Sequence, residues 1–460
     1  MGNFALTPVE DPQAQIRRVS SDSRRIQAQE EVTPWGIEAV NVRSLWTIEP
    51  KLQRVKICVV DTGYDVFHPD LPFFNVDGWN RESECDGTRF KNEKWFNDTD
   101  GDVSHGTHVA GIIGAIGNNG CEFYARLSIP RSSLKHRTIP IVAFALLTFK
   151  SISPRLKLNI VGVVGINPNS TRISFHIAKI KQRRNIRFSD VLDAAEECKN
   201  AGAYVISMAV SCKEDKSGQG KRCFSPKDEA RFKKLYDEGV LIVGGAGNTA
   251  NSTEEYPAAY KYIMSVSAVD ENLLWYNQST RNNQVEISAP GVNIYSTFAG
   301  GTYGTLNGTS QATAHVVGVA ALLISHFPEC TKNQIRNAML ATTNEPNITD
   351  QLRNRSGWDE RYGWGIVNAG RAYELLNTKG CECAGGVENG VPSLSDLAFG
   401  GKDQKVISPC TPKPTSKPTF KPSRKPTSSK PSQKPTTSKP SRKPTTSWPT
   451  RKPTTRKPTK

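Results

Sequence analysis

Four polar residues, far apart in the chain, have the types that acyl-transfer chemistry needs. Ser310 stands in Asn307-Gly308-Thr309-Ser310-Gln311-Ala312, at the mouth of a helix predicted to run on through Val319-Ala320-Ala321-Leu322-Leu323-Ile324. A serine hydroxyl is a poor nucleophile until a base takes its proton, and a helix N-terminus favours the negative charge that then develops. His105 opens a second small-residue helix, His105-Gly106-Thr107-His108-Val109-Ala110-Gly111. Asp61 follows the β-branched run Val55-Lys56-Ile57-Cys58-Val59-Val60, and Asn248 ends Gly244-Gly245-Ala246-Gly247-Asn248. Singly, each has a bland reading: a helix cap, a strand-end acid, two loop polars. Together they supply an alcohol, an imidazole, a carboxylate and an amide, each beside glycine.

The elements that would carry them alternate. After Val55–Val60, Asp190–Ala201 reads as a helix, Tyr204-Val205-Ile206-Ser207-Met208 as a strand and Pro226–Glu238 as an amphipathic helix. Val240–Val243, Tyr262–Val269 and Val285–Ile287 read as further strands. Repeated strand-then-helix order predicts an α/β fold, a doubly wound and mostly parallel sheet flanked by helices. In such sheets the chemistry collects at the C-terminal ends of the strands, where Asp61 and Asn248 fall.

Composition divides the chain. Hydrophobic residues make up 37 % of its 460, low for one packed globule. Residues 1–30 are polar and read as a leader or pro-segment remnant; 31–376 carry the globular text; 377–410 form a cysteine-containing linker. Residues 411–460 repeat Lys-Pro-Thr and Lys-Pro-Ser, where frequent proline forbids helix and sheet and predicts an extended, disordered tail. That tail holds 15 Lys and Arg and no acid, nearly the whole net charge of +16. The body is therefore close to neutral, and nucleic-acid binding by the body gains no support. Residues 121–159 break the style, with an apolar run, Ile139 to Phe149, inside a basic stretch. They read as an inserted excursion or as translated non-coding sequence. Ten cysteines suggest an oxidising compartment. Cys212 and Cys223 could close one loop, and Cys383 and Cys410 another. No signal peptide is visible, and no apolar run is long enough to span a membrane.

The four motifs in this order resemble the subtilisin-like serine peptidases. The resemblance runs from about Val32 to Leu376, except 121–159. It is carried by Asp61-Thr62-Gly63, His105-Gly106-Thr107-His108, Gly245-Ala246-Gly247-Asn248 and Gly308-Thr309-Ser310, with support from Ser288-Ala289-Pro290-Gly291. It implies a serine endopeptidase working through an Asp61–His105–Ser310 triad, with Asn248 in the oxyanion hole. It also implies an extended substrate paired along Ser207-Met208-Ala209-Val210-Ser211, a pocket of Gly245, Ala246 and Gly247, and Glu255 near the pocket base. A carboxylate there would favour Lys or Arg at the cleaved position. Two departures stand beside the nucleophile, where Gln311 replaces the usual Met and Ala314 the usual Pro. Structural calcium is the cofactor implied, with Asp70 and the loop of Asn118 as ligands and no organic cofactor. The partners expected are protein or peptide substrates, and acidic polysaccharide or mineral for the tail. The expected state is a secreted, extracellular monomer. The competing reading is an inactive subtilisin-like binding protein working through its basic tail.

Overall fold

The computed structural model describes residues 7–8, 31–80, 95–96, 103–117, 162–180, 188–213, 223–346 and 358–384. In chain order the strands are β1 (Thr7–Pro8), β2 (Val55–Asp61), β3 (Val76–Asn80), β4 (Ile173–Lys179), β5 (Val205–Met208), β6 (Val210–Lys213), β7 (Leu241–Gly245), β8 (Glu255–Tyr256), β9 (Met264–Val269), β10 (Val285–Pro290), β11 (Ile294–Phe298) and β12 (Thr302–Leu306). The helices are α1 (Trp35–Ala39), α2 (Ser104–Gly114), α3 (Phe188–Asn200), α4 (Pro226–Asp237), α5 (Thr309–His326), α6 (Lys332–Ala341), α7 (Ala369–Lys379) and α8 (Cys381–Ala384).

Seven strands form one sheet in the order β10-β9-β7-β5-β2-β4-β3, and every neighbouring pair is parallel. Both faces are covered, which explains why β2 and β5 read as near-continuous apolar runs. On one face Ile57, Val59 and Phe175 pack with Val109 and Ile113 of α2 and with Ala312, Val316 and Ala320 of α5. On the other, Cys58, Val60 and Ile206 pack with Val191 and Leu192 of α3 and Phe232 of α4. All 18 residues of α5 are buried, so it is apolar all round and lies at the centre of its layer. The outer helices carry explicit start signals. Ser225 accepts from the Asp228 N–H ahead of Pro226 in α4, and Thr331 and Gln334 form a reciprocal capping box on α6.

A three-stranded antiparallel sheet, β1-β6-β8, stands apart from the main one. Its formation splits the predicted run Ser207–Ser211. Ser207 and Met208 stay in the central sheet, and Val210 begins β6. The strand β4 interrupts its apolar text with Ser174, His176 and Lys179, which hides it from hydropathy; His176 Nδ1 is paired with Asp77 at 2.6 Å.

Among the described residues three disulfides are formed. Cys212–Cys223 closes the loop after β6, as the spacing suggested. Cys58–Cys198 ties β2 to α3 across 140 residues, and Cys330–Cys381 ties the turn between α5 and α6 to α8. Neither of these follows from spacing. The other pairing suggested, Cys383 with Cys410, lies outside the described residues, as do 121–159, 385–460 and most of 1–30. The chain leaves and re-enters around the 121–159 stretch at one place. The Gly117 N–H donates to Pro168 O at 3.1 Å, and the Gly165 N–H donates to Ala115 O at 3.0 Å.

Candidate active site

Asp61 is the last residue of β2 and is 1 % exposed. Its Oδ1 accepts the Thr62 N–H at 2.6 Å and bonds His105 Nδ1 at 2.8 Å. A carboxylate only accepts, so in the neutral ring the proton sits on Nδ1 and Nε2 is the basic nitrogen. His105 reaches this position as the second residue of α2. The helix start is pulled onto the end of β2 by the Gly106 N–H, which donates to Thr62 Oγ1 at 3.1 Å. A Cβ at Gly106 would stand 2.2 Å from the Gly63 carbonyl oxygen, so only glycine permits this approach. His108 is a different kind of histidine. Fully buried, it donates through Nε2 to Ile294 O at 2.9 Å. Burial, then the neighbouring His105, lowers its pKa to about 3, so it stays neutral and structural. His315, on the second turn of α5, donates from Nδ1 to Gln311 O at 2.8 Å, and burial brings it to about 4.

Ser310 is the second residue of α5, fully buried at the helix N-terminus. The turn before it is held from both sides. The Gly308 N–H donates to Gly291 O at 2.7 Å, and the Gly247 N–H donates to Thr309 Oγ1 at 3.2 Å. Asn248 joins the same turn, its Oδ1 accepting the Thr309 N–H at 3.0 Å. That bond parks the carbonyl edge of the amide on the helix and turns its NH2 edge away from it. α2 and α5 pack side by side over the same face of the sheet, with His105 and Ser310 each in a first turn. Gln311 follows Ser310 at 1 % exposure, and neither its amide oxygen nor its nitrogen has a partner.

The residues expected to line a pocket follow one another at the end of β7. Gly245 ends β7, and the Ala246 N–H donates to Val266 O at 2.8 Å. Gly247 has φ +114°, and a Cβ there would meet the Glu255 carboxyl carbon at 2.2 Å. The glycine backbone therefore lies directly on that carboxylate. Glu255 opens β8 at 2 % exposure, and its Oε1 accepts the Thr249 and Thr280 hydroxyls at 2.5 and 2.8 Å. Ser207 is fully enclosed in β5 and Ala209 is buried at its end, whereas Val210 belongs to β6, the middle strand of the small sheet. β6 is paired on one side with β8 and on the other with Thr7–Pro8 of the same chain, Thr7 opposite Ser211 and Pro8 opposite Val210. Sequence reasoning missed this use of the leader, which no local pattern signals.

Asp70 is fully buried. Its Oδ2 accepts the Val163 N–H at 2.7 Å and the Tyr303 hydroxyl at 2.8 Å. Burial, then Asp70, pushes the Tyr303 pKa far up, and Glu31 acts in the same direction. Asn118 lies outside the described residues, and among those described no three His, Cys, Asp or Glu gather as a metal site.

The family model described as Peptidase_S8, Subtilase family, matches residues 53–365. A thermostable alkaline protease of Halalkalibacterium halodurans is 30 % identical over 344 residues, 74 % of this chain and 74 % of the relative. Subtilisin BL of Lederbergia lenta is 30 % identical over 337 residues, covering 73 % of this chain and 97 % of the relative. Among solved structures, a psychrophilic subtilisin-like protease from Pseudoalteromonas sp. AS-11 aligns with a TM-score of 0.56 at 22 % identity. That alignment covers 76 % of this chain and 99 % of the other, a likeness of fold.

Proposed function

Since the chain belongs to the subtilase family, we propose that it is a serine endopeptidase that hydrolyses protein substrates through an acyl-enzyme. One observation carries this reading: the buried 2.8 Å bond between His105 Nδ1 and Asp61 Oδ1, made at a helix start packed beside the helix of Ser310. In the reading, His105 Nε2 takes the Ser310 proton as Oγ attacks the scissile carbonyl. The imidazolium that results is stabilised by Asp61 and passes its proton to the leaving amine. The Asn248 NH2 and the Ser310 N–H receive the oxyanion. Water then repeats the sequence on the acyl-enzyme.

Substrate is bound as an added strand along β6, in the place that Thr7–Pro8 occupies. Support comes from the chain itself, because Thr7–Pro8 already pairs antiparallel there. Glu255, buried under the Gly245–Gly247 wall, selects a cationic side chain at the cleaved position. Of its two oxygens, Oε1 accepts both threonine hydroxyls. A denatured protein digested with the enzyme is expected to be cut after Lys and Arg. Glu255→Gln is expected to lower kcat/KM for those substrates by about 10- to 100-fold relative to Phe, the worth of one charge-assisted bond. An Arg-to-Phe preference that survives Glu255→Gln would remove this specificity.

A structural calcium ion is proposed at Asp70 with the loop of Asn118, where it would take no part in the reaction. Its mark would be a rise in Tm with added calcium that Asp70→Asn abolishes; a Tm indifferent to calcium would exclude it. The three disulfides support an extracellular place of work, and no helix among the described residues is long and apolar enough to cross a membrane. Monomeric action and binding of acidic polysaccharide or mineral by the 411–460 tail complete the proposal; salt-sensitive retention on such a matrix, lost on tail deletion, would test the latter.

A further inference from the structure

Two buried groups near the proposed triad lack what the other offers. Asp61 Oδ2 is an acceptor with no donor, and Ser207 Oγ is a hydroxyl with no partner. They stand on adjacent parallel strands. Val59 pairs with Ser207 and Val60 with Met208, and the next step of that register brings Ala209 opposite Asp61. Partners in register share a face and side chains alternate along a strand, so Ser207, Ala209, Val59 and Asp61 all face the α5 layer. The packing agrees, since Val59, Val205 and Ala209 belong to the core on that side, while Val60, Ile206 and Met208 belong to the other. Ala209 therefore faces the carboxylate with no polar atom, and Ser207 is the nearest hydroxyl along β5 on that face. The diagonal between their Cα atoms is about 8 Å, from strand spacing and rise, a span that two short side chains and one water cross.

We propose that Ser207 is a positioning residue for the catalytic carboxylate, its hydroxyl holding one buried water that donates to Asp61 Oδ2. The inference rests on the peptidase reading above. The bond pins the oxygen that faces away from His105. The other oxygen then stays aimed at the Thr62 N–H and His105 Nδ1, instead of swinging about the Cβ–Cγ bond. The role belongs to the Ser207 hydroxyl, which acts on the reaction through Asp61 alone.

The test compares wild type, Ser207→Ala and the double variant Ser207→Ala/Ala209→Ser. Ser207→Ala is expected to lower kcat about 3- to 10-fold with KM unchanged, the loss of one water-mediated bond. A carboxylate deprived of that donor holds the imidazolium more tightly, so the acid limb of kcat/KM moves to higher pH. The His105 Nδ1 proton resonance moves downfield. The double variant places a hydroxyl directly opposite Asp61 and is expected to return all three readouts towards wild type. Wild-type kcat, limb and resonance in Ser207→Ala would overturn the proposal. So would a loss confined to Tm, or a loss of kcat that the double variant does not restore. Failure of the peptidase reading is distinguishable, because it would appear as an inactive wild type whose Asp61–His105 resonance still responds to Ser207→Ala.

Discussion

Ser310→Ala is expected to reduce kcat by about 10⁶-fold while leaving KM and the melting temperature close to wild type. The magnitude is carried over from the corresponding loss in subtilisin. The physical grounds lie in how the first turn of α5 is built. The turn is held by backbone and threonine contacts: the Gly308 N–H to Gly291 O, the Gly247 N–H to Thr309 Oγ1 and the Thr309 N–H to Asn248 Oδ1. Removing one oxygen from Ser310 leaves these bonds in place, and alanine is a better helix former. In the proposed mechanism the Gly245–Gly247 wall, β6 and Asn248 remain to bind substrate, so the loss falls on chemistry. Initial rates on a peptide anilide with a basic residue before the scissile bond, alongside a thermal melt, decide it. A fall in Tm that tracks the fall in rate would instead mark Ser310 as a structural cap.

Asn248→Ala is expected to cost about 10²- to 10³-fold in kcat with little change in KM, again a magnitude carried over from subtilisin. The donor matters only when charge develops on the carbonyl oxygen, so it stabilises the transition state more than the bound substrate. Asn248 also has a structural task, because its Oδ1 accepts the Thr309 N–H. Alanine loses both roles. Asn248→Asp keeps the acceptor and loses the donor, which separates them. Both variants are expected to lose kcat, but only alanine is expected to lose stability as well, by about 1 kcal/mol for one unmade bond. A variant with raised KM and intact kcat would place Asn248 among ordinary binding groups.

The polar ends of elements were legible in the sequence because the chain punctuates them. The Val55–Val60 run stops at Asp61-Thr62-Gly63, and the structure ends β2 on Asp61. His105 and Ser310 open small-residue helices, and each falls in a first turn. What could not be read is what distant partners decide. Ser207 and Val210 are three residues apart, yet they lie in different sheets. β2 and β7 claim the first, and Pro8 pairs with the second. The strand Ile173–Lys179 was missed because three of its seven residues are polar, and they are tolerated only where partners such as Asp77 meet them. The Cys58–Cys198 bond spans 140 residues, and spacing carries no information at that range. Glu255 was read as an acid near a pocket. Its burial under Gly247 and its two threonine donors come from two separate segments, one holding Gly247 and Thr249 and the other Thr280.

The whole reading turns on whether Ser310 is an activated alcohol. The direct measurement is labelling of the native protein with a fluorophosphonate, followed by mass mapping of the modified peptide. One adduct on Ser310, absent from Ser310→Ala and from His105→Ala, is the predicted result. A folded protein that takes no label, or takes it equally after Ser310→Ala, would contradict the account.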